Sequence, residues 1–375
     1  MTARFFGRGA LAASAVILSI ALTGCGNHDP LVGRFDDIEV PGAGTGTISG
    51  VFAGAGASSQ ESAMDAWIAN FQIINPDVTV NYDPSGSGAG REIFLAGGVL
   101  WAGSDAALSD DEAQRSLDRC GPDGAIDLPV YISPIAITFN LPGIDTLNMA
   151  PATIAKIFTG QITAWDDPIL AADNPGVTLP STRVTPVHRT DNSGTTENFA
   201  DYLFANVPDV WPWEPSGTWP RQGGDSAQGT SGVIAVVNQT EGAVTYADAS
   251  RVGELSTANI LVGGTWVPVS ADAASRAVDV SPQLEGRHEA DLSIALDRTT
   301  EDTQAYPLVL ISYAVVCLHY ESERDAEFVT EFIGFIASPL GQTLASSAAG
   351  SAPMSDDLEQ RIATSVAAIT SGGTP

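Results

Sequence analysis

The 375-residue sequence predicts an α/β fold with two lobes, on three observations. Short apolar runs alternate with helical patterns along the chain, the signature of strands and helices packed in layers. About 330 residues remain after an N-terminal export signal and tether, more than one compact core usually holds. No tandem repeat is visible.

The chain begins with that signal. Arg4 and Arg8 precede the apolar run Ala10 to Leu22, which leads into Leu22-Thr23-Gly24-Cys25. The run is too short to span a bilayer comfortably, and the small residues ahead of Cys25 match a cleavage site. The Leu-Thr-Gly-Cys box resembles the bacterial lipoprotein signal, in which the cysteine becomes the lipid-carrying N-terminus. The alternative is an ordinary signal peptide with an incidental cysteine. On the first reading residues 1–24 are signal peptide, and 25–47 are the lipidated Cys25 and a flexible tether rich in Gly and Asp.

Three segments then share one construction, a glycine- and hydroxyl-rich stretch running into a helix. Gly54-Ala55-Gly56-Ala57-Ser58-Ser59-Gln60-Glu61 leads into a helix with the apolar face Met64, Trp67, Ile68 and Phe71. Ser58 and Glu61 have capping-box spacing. Ser85-Gly86-Ser87-Gly88-Ala89-Gly90 follows the strand-like Val78 to Tyr82 and precedes an apolar run at Ile93 to Leu95. His188-Arg189-Thr190-Asp191-Asn192-Ser193-Gly194-Thr195-Thr196 precedes the helical spacing of Phe199, Tyr202 and Leu203. Helix N-termini carry unpaired N–H groups and the positive end of the helix dipole, so such segments seat anions. Together they predict three helix starts converging on one tetrahedral oxyanion.

Between and after these segments the pattern continues. Val99 to Trp101 is strand-like, Ser109 to Glu112 is a capping box, Val130 to Phe139 is strand-like, Thr153 to Phe158 is helical, and Val184 to Val187 and Leu308 to Val316 are strand-like. The Pro- and Trp-rich stretch Val207 to Pro220, with Trp211, Trp213 and Trp219, reads as a packed surface loop, the alternative being a carbohydrate-stacking platform.

Composition limits the function. A formal net charge of −29 excludes a nucleic-acid binder and opposes anion capture at long range. Screening confines that penalty to a Debye length of about 8 Å, so any anion is gripped locally. The single lysine, Lys156, follows Ala155 rather than Gly, so there is no Walker A loop. His28, His188, His288 and His319 lack metal-ligand spacing such as H-E-x-x-H, and no G-x-S-x-G elbow occurs. With Cys25 assigned to lipid, Cys120 and Cys317 remain, and in an exported chain this favours a long-range disulfide over two separate buried thiols.

The order of motifs resembles a known family. Gly54 to Ser58, Gly86-Ser87-Gly88-Ala89-Gly90, Gly103-Ser104-Asp105-Ala106 with Leu108-Ser109-Asp110, and Arg189 through Thr195 are similar to the phosphate-binding proteins of bacterial phosphate ABC transporters, the PstS-like proteins. Ile154 to Asp167, Asn174 to Pro180 and Gly242 to Tyr246 add to the likeness, which runs from about Gly50 to Pro353.

That resemblance implies a two-lobed periplasmic-binding-protein (Venus-flytrap) fold with the ligand in the interlobe cleft. Lobe one would be 48–130 plus 306–375, lobe two 131–305, and a Cys120–Cys317 bridge would lie within lobe one. The implied phosphate ligands are Ser58, Ser87 and Asp105 from lobe one and Arg189, Ser193, Gly194 and Thr195 from lobe two. Ser58 replaces the threonine expected there but keeps the hydroxyl. Asp191 would orient Arg189 or cap the following helix, and His188 would be a cleft-wall or strand-end residue. Asp105 would select phosphate, which still carries a proton to donate at neutral pH, over sulfate, which does not. The function implied is an extracytoplasmic, lipid-anchored binding protein on the cell membrane that delivers inorganic phosphate to ABC permease subunits. It would be a monomer and not an enzyme, with no cofactor, no metal and no nucleic-acid partner. The alternatives are a binder of another oxyanion and an exported phosphomonoesterase.

Overall fold

The computed structural model describes residues 48–372. The signal peptide, Cys25 and the tether expected at 1–47 lie outside the described residues.

In chain order the strands are β1 (Gly50–Gly56), β2 (Val78–Asp83), β3 (Trp101–Ser104), β4 (Ala125–Phe139), β5 (Thr146–Met149), β6 (Thr185–Arg189), β7 (Asp225–Ala227), β8 (Ala243–Asp248), β9 (Ser256–Val262), β10 (Thr265–Val267), β11 (Val309–Cys317), β12 (His319–Tyr320) and β13 (Thr370–Ser371). The helices are α1 (Glu61–Ile74), α2 (Ser87–Leu95), α3 (Asp110–Cys120), α4 (Pro151–Phe158), α5 (Pro168–Asp173), α6 (Gly194–Asn206), α7 (Gly229–Gln239), α8 (Ala271–Asp279), α9 (Glu323–Ala337), α10 (Pro339–Ala349) and α11 (Asp356–Ala367).

β4 organises the molecule. It is buried almost throughout, which explains its near-continuous apolar sequence, since a strand covered on both faces does not alternate. β11 pairs antiparallel with Ala125 to Pro134, whereas β8 pairs antiparallel with Ile135 to Phe139. The sheet order β2-β1-β3-β11-β4-β8-β6-β7 therefore divides near Ile135 into two halves that share one strand.

Each half has its own aromatic core. In the first, Phe52 stacks on Phe328 of α9 at 3.9 Å between ring centroids, and Trp101 meets Phe332 edge-on. In the second, Phe199 stacks on Tyr246 at 4.2 Å, and Trp211 meets Trp219 edge-on. The Trp-rich stretch is a packed loop over this second core, with Trp211 fully buried and Trp213 and Trp219 partly so.

Cys120, the last residue of α3, is bonded to Cys317, the last residue of β11, with Cα atoms 5.1 Å apart. Both belong to the half built on β1, β3 and β11. One segment of the range 131–305 also packs on that half. The Arg287 guanidinium donates to the Leu108 carbonyl, the Leu292 N–H donates to the Asp127 carbonyl at 3.0 Å, and the Ile294 N–H donates to the Tyr313 hydroxyl at 3.1 Å.

Two local expectations need correction. Ser58 and Glu61 do not form a capping box: Gln60 is the N-cap of α1, and it makes no side-chain cap. The Ser58 hydroxyl is drawn to partners on the other half instead. Val99 and Leu100 form a bend ahead of β3 rather than its start. The Ser109–Glu112 box, by contrast, caps α3 with both reciprocal bonds in place.

Candidate functional site

The two halves meet where β1, β3 and β6 end and where α1, α2, α6 and α7 begin. Past β1 the chain turns through Ala57 to Gln60 into α1, leaving the Ser58 hydroxyl buried at the junction. Its Oγ accepts from Arg189 Nη2 at 3.1 Å and from the Thr230 backbone N–H at 3.2 Å. Arg189 is the last residue of β6, and its Nη1 reaches Thr230 Oγ1 at 3.3 Å.

Ser87 is the first residue of α2, and its Oγ accepts the Asp105 backbone N–H at 3.1 Å. Gly86, the N-cap, has φ +105°, and a Cβ there would lie 2.7 Å from the Asp191 carboxylate. The loop passes this point only as glycine. Gly194 opens α6 from the opposite side, where a Cβ would lie 2.6 Å from both Ser87 Oγ and Asp105 Cβ. The glycine thus permits a close approach of the two halves.

Ser193 is the N-cap of α6, its Oγ accepting the Thr196 N–H at 3.2 Å. Its hydroxyl proton stays available to donate. The Ser193 N–H donates to the Gly217 carbonyl at 2.9 Å, so the Trp-rich loop braces this helix start. Thr195 Oγ1 donates to Asp105 Oδ2 at 3.1 Å.

Asp105 follows the end of β3 and is buried. Its Oδ1 accepts from Ser59 Oγ at 2.6 Å and from Ser312 Oγ, and its carbonyl accepts from Asn198 Nδ2 at 2.6 Å. Burial pushes its carboxyl above the ordinary range, opposed by the hydroxyls of Ser312, Ser59 and Thr195 and by the charge of Arg189.

Asp191 accepts from Arg189 Nε at 2.8 Å and from the Gly229 N–H at 3.0 Å. Burial works to raise its carboxyl, but Arg189 outweighs it and holds Asp191 below the usual range. The N-cap role belongs to Ser193, not Asp191. His188 lies on β6 with its ring stacked on Trp219 at 4.7 Å.

Ser58, Ser87, Asp105, Arg189, Ser193, Gly194 and Thr195 are therefore brought together by elements from both halves of the sheet. Chemically the set is one full positive charge, several neutral hydroxyls and N–H dipoles at helix starts, and one carboxylate. Such a set is chemically suited to a small oxyanion that can also donate a hydrogen bond. Sequence reasoning missed five members. Ser59 adjoins Ser58, Gly229-Thr230 repeats the glycine–hydroxyl pattern at the start of α7, Ser312 is a lone polar residue in an apolar strand, and Asn198 sits one turn into α6.

A family model described as the PBP superfamily domain matches residues 41–339. Phosphate-binding protein PstS 3 of Mycobacterium tuberculosis is 34% identical over 379 residues, covering 96% of this chain and 97% of its own length. Phosphate-binding protein PstS 2 of the same organism is 34% identical, with 84% of this chain and 86% of its own length covered. This chain belongs to the PstS family of phosphate-binding proteins. The solved structure of a human phosphate binding apolipoprotein shares the fold, with TM-score 0.65 at 20% identity over 84% of this chain and 94% of that one. In this PstS-family chain the two halves that share β4 are accordingly the two lobes of the periplasmic-binding fold.

Proposed function

We propose that this chain captures inorganic phosphate on the extracytoplasmic side and delivers it to an ABC permease. The observation that carries the reading is the meeting of Arg189, Ser58, Ser87, Ser193, Gly194 and Thr195 around the buried Asp105. A dianion buried without donors would be costly to desolvate, and this set offers hydroxyls, helix-start N–H groups and a guanidinium fork. Asp105 accepts a hydrogen bond from the proton that phosphate keeps at neutral pH and repels sulfate, which has none. The PstS-family relatives support the same ligand.

Lobe one comprises 48–130 and 306–375 and lobe two 131–305, with Arg287 to Ile294 strapped back onto lobe one. Asp191 orients Arg189. Cys25 carries the lipid anchor that holds the protein at the outer face of the cell membrane beside its permease, and the protein acts as a monomer that binds and releases rather than as an enzyme.

Titration calorimetry of the purified protein tests the central reading. One equivalent of phosphate is expected to bind, arsenate to compete because it shares shape and protonation, and sulfate to be rejected. Sulfate binding as tightly as phosphate would favour a general oxyanion binder.

A further inference from the structure

We infer that Ser312 and Ser59 set the oxyanion selectivity of this site by fixing Asp105 as a hydrogen-bond acceptor, an inference that rests on the phosphate reading above. Ser312 is fully buried in β11, surrounded along the strand by Leu310, Ile311, Ala314 and Val315. A hydroxyl in such a place demands a partner. The β3–β11 register supplies it. Tyr313 pairs with Ser104 in that antiparallel ladder, so the next position along sets Ser312 beside Asp105 just past the end of β3. The β11–β4 pairing carries a bulge at this same point, between Ser312 and Tyr313, a device that re-aims side chains.

Ser59 arrives from the turn into α1 and also bonds Oδ1, at 2.6 Å. Both serines therefore hold one oxygen, while Oδ2 faces Thr195. The division follows the lobes. Ser59, Ser312 and Asp105 all belong to lobe one, so their bonds persist whether the cleft is open or closed, whereas Thr195 arrives only with lobe two.

The surroundings explain why such support is needed. Arg189 at the end of β6 is the cation acting on Asp105. Glu197 on α6, Asp248 at the end of β8 and Tyr82 on β2 also feel its charge, and ionisation of these groups opposes its own. Burial adds to that opposition. A protonated Asp105 would become a donor and would welcome sulfate. The two serine hydroxyls donate more strongly to the carboxylate than to the neutral acid, and so favour the acceptor that tells phosphate from sulfate.

The test compares wild type with Ser312→Ala and Ser59→Ala. The Asp105 carboxyl carbon is followed by NMR in the phosphate-free protein from about pH 4 to 8, with Asp105→Asn to assign the signal. Phosphate and sulfate competition is measured over the same range. Each alanine variant is expected to raise the Asp105 midpoint by about 1 pH unit, one hydrogen bond to a charged group. Sulfate should gain about tenfold on phosphate where the variant is protonated and wild type is not. If Ser312→Ala does not fold, Ser59→Ala carries the same expectation. Unchanged midpoints and an unchanged sulfate-to-phosphate ratio in a wild type that binds phosphate would overturn this inference alone, whereas a wild type blind to phosphate would overturn the functional reading and the inference with it.

Discussion

The Asp191 carboxylate grips the Arg189 guanidinium at two points, Oδ1 to Nε at 2.8 Å and Oδ2 to Nη2. Both side chains are nearly inaccessible, 2% and 9% exposed. The pair fixes the plane of the guanidinium at the end of β6, so the edge that bonds Ser58 and Thr230 is aimed before any ligand arrives. Because Asp191 also takes the Gly229 N–H, the start of α7 is tied to the same arginine.

Arg189→Ala should weaken phosphate binding by about 1.5–3 kcal/mol, the value of a charged hydrogen bond, or roughly tenfold to a hundredfold. Lysine should restore only part, since it keeps the charge and loses the fork. Asp191→Asn should cost less than Arg189→Ala, because it loosens the arginine without removing it. Calorimetric titration ranks the three, and unchanged affinity in the alanine variant would place the anion elsewhere.

Arg251 reaches across the lobes outside the cage. Its Nη1 donates to Ser62 Oγ at 2.7 Å and its Nη2 lies 3.5 Å from the Glu61 carboxylate. Being partly exposed, these contacts should contribute no more than about 1 kcal/mol to closure. Arg251→Ala is expected to speed phosphate release in stopped-flow measurements while leaving the cage chemistry intact, and an unchanged release rate would remove Arg251 from the closing contacts.

Cys120 and Cys317 both lie in the half built on β1, β3 and β11, so their bond stabilises that half without linking it to the other. Replacing both with Ala should lower unfolding free energy by about 2–5 kcal/mol and leave phosphate affinity unchanged. Denaturant unfolding and a parallel titration separate the two effects. Lost affinity in a folded variant would mean that the bridge shapes the site.

Much of this organisation is legible in the sequence, because its signals are local. Glycines and hydroxyls ahead of an apolar helical face mark the starts of α2 and α6 wherever the rest of the chain goes. The fully buried strand β4 is likewise visible as an apolar run. What escapes is set by distant pairing. Ser312 meets Asp105 through strand register, across 207 positions, and nothing near Ser312 announces it. The Ser58–Glu61 spacing misleads for a related reason, since the hydroxyl that local pattern assigns to a helix cap is claimed by Arg189 from the other lobe.

Buried carboxyls give the folded protein a pH dependence of definite sign. Burial and the neighbouring Asp291 push Asp127 up, and burial pushes Asp248 up to about 6. The folded chain thus keeps protons that the unfolded chain releases near pH 4, so stability falls as pH rises from about 4 through 6 and beyond. Asp127 Oδ1 has no hydrogen-bond partner among the described residues, and Asp127→Asn should flatten the upper part of this decline. Melting temperatures from about pH 5 to 8 check it, and a wild-type profile that rises over this range would contradict the assignment.

The most direct measurement is the position of the bound anion. Crystals grown with arsenate carry an anomalous scatterer of the same shape and protonation as phosphate. The expected result is one arsenic peak per chain within hydrogen-bonding reach of Arg189, the hydroxyls of Ser58 and Thr195, and Asp105. A peak elsewhere, with none at Arg189, would contradict the account.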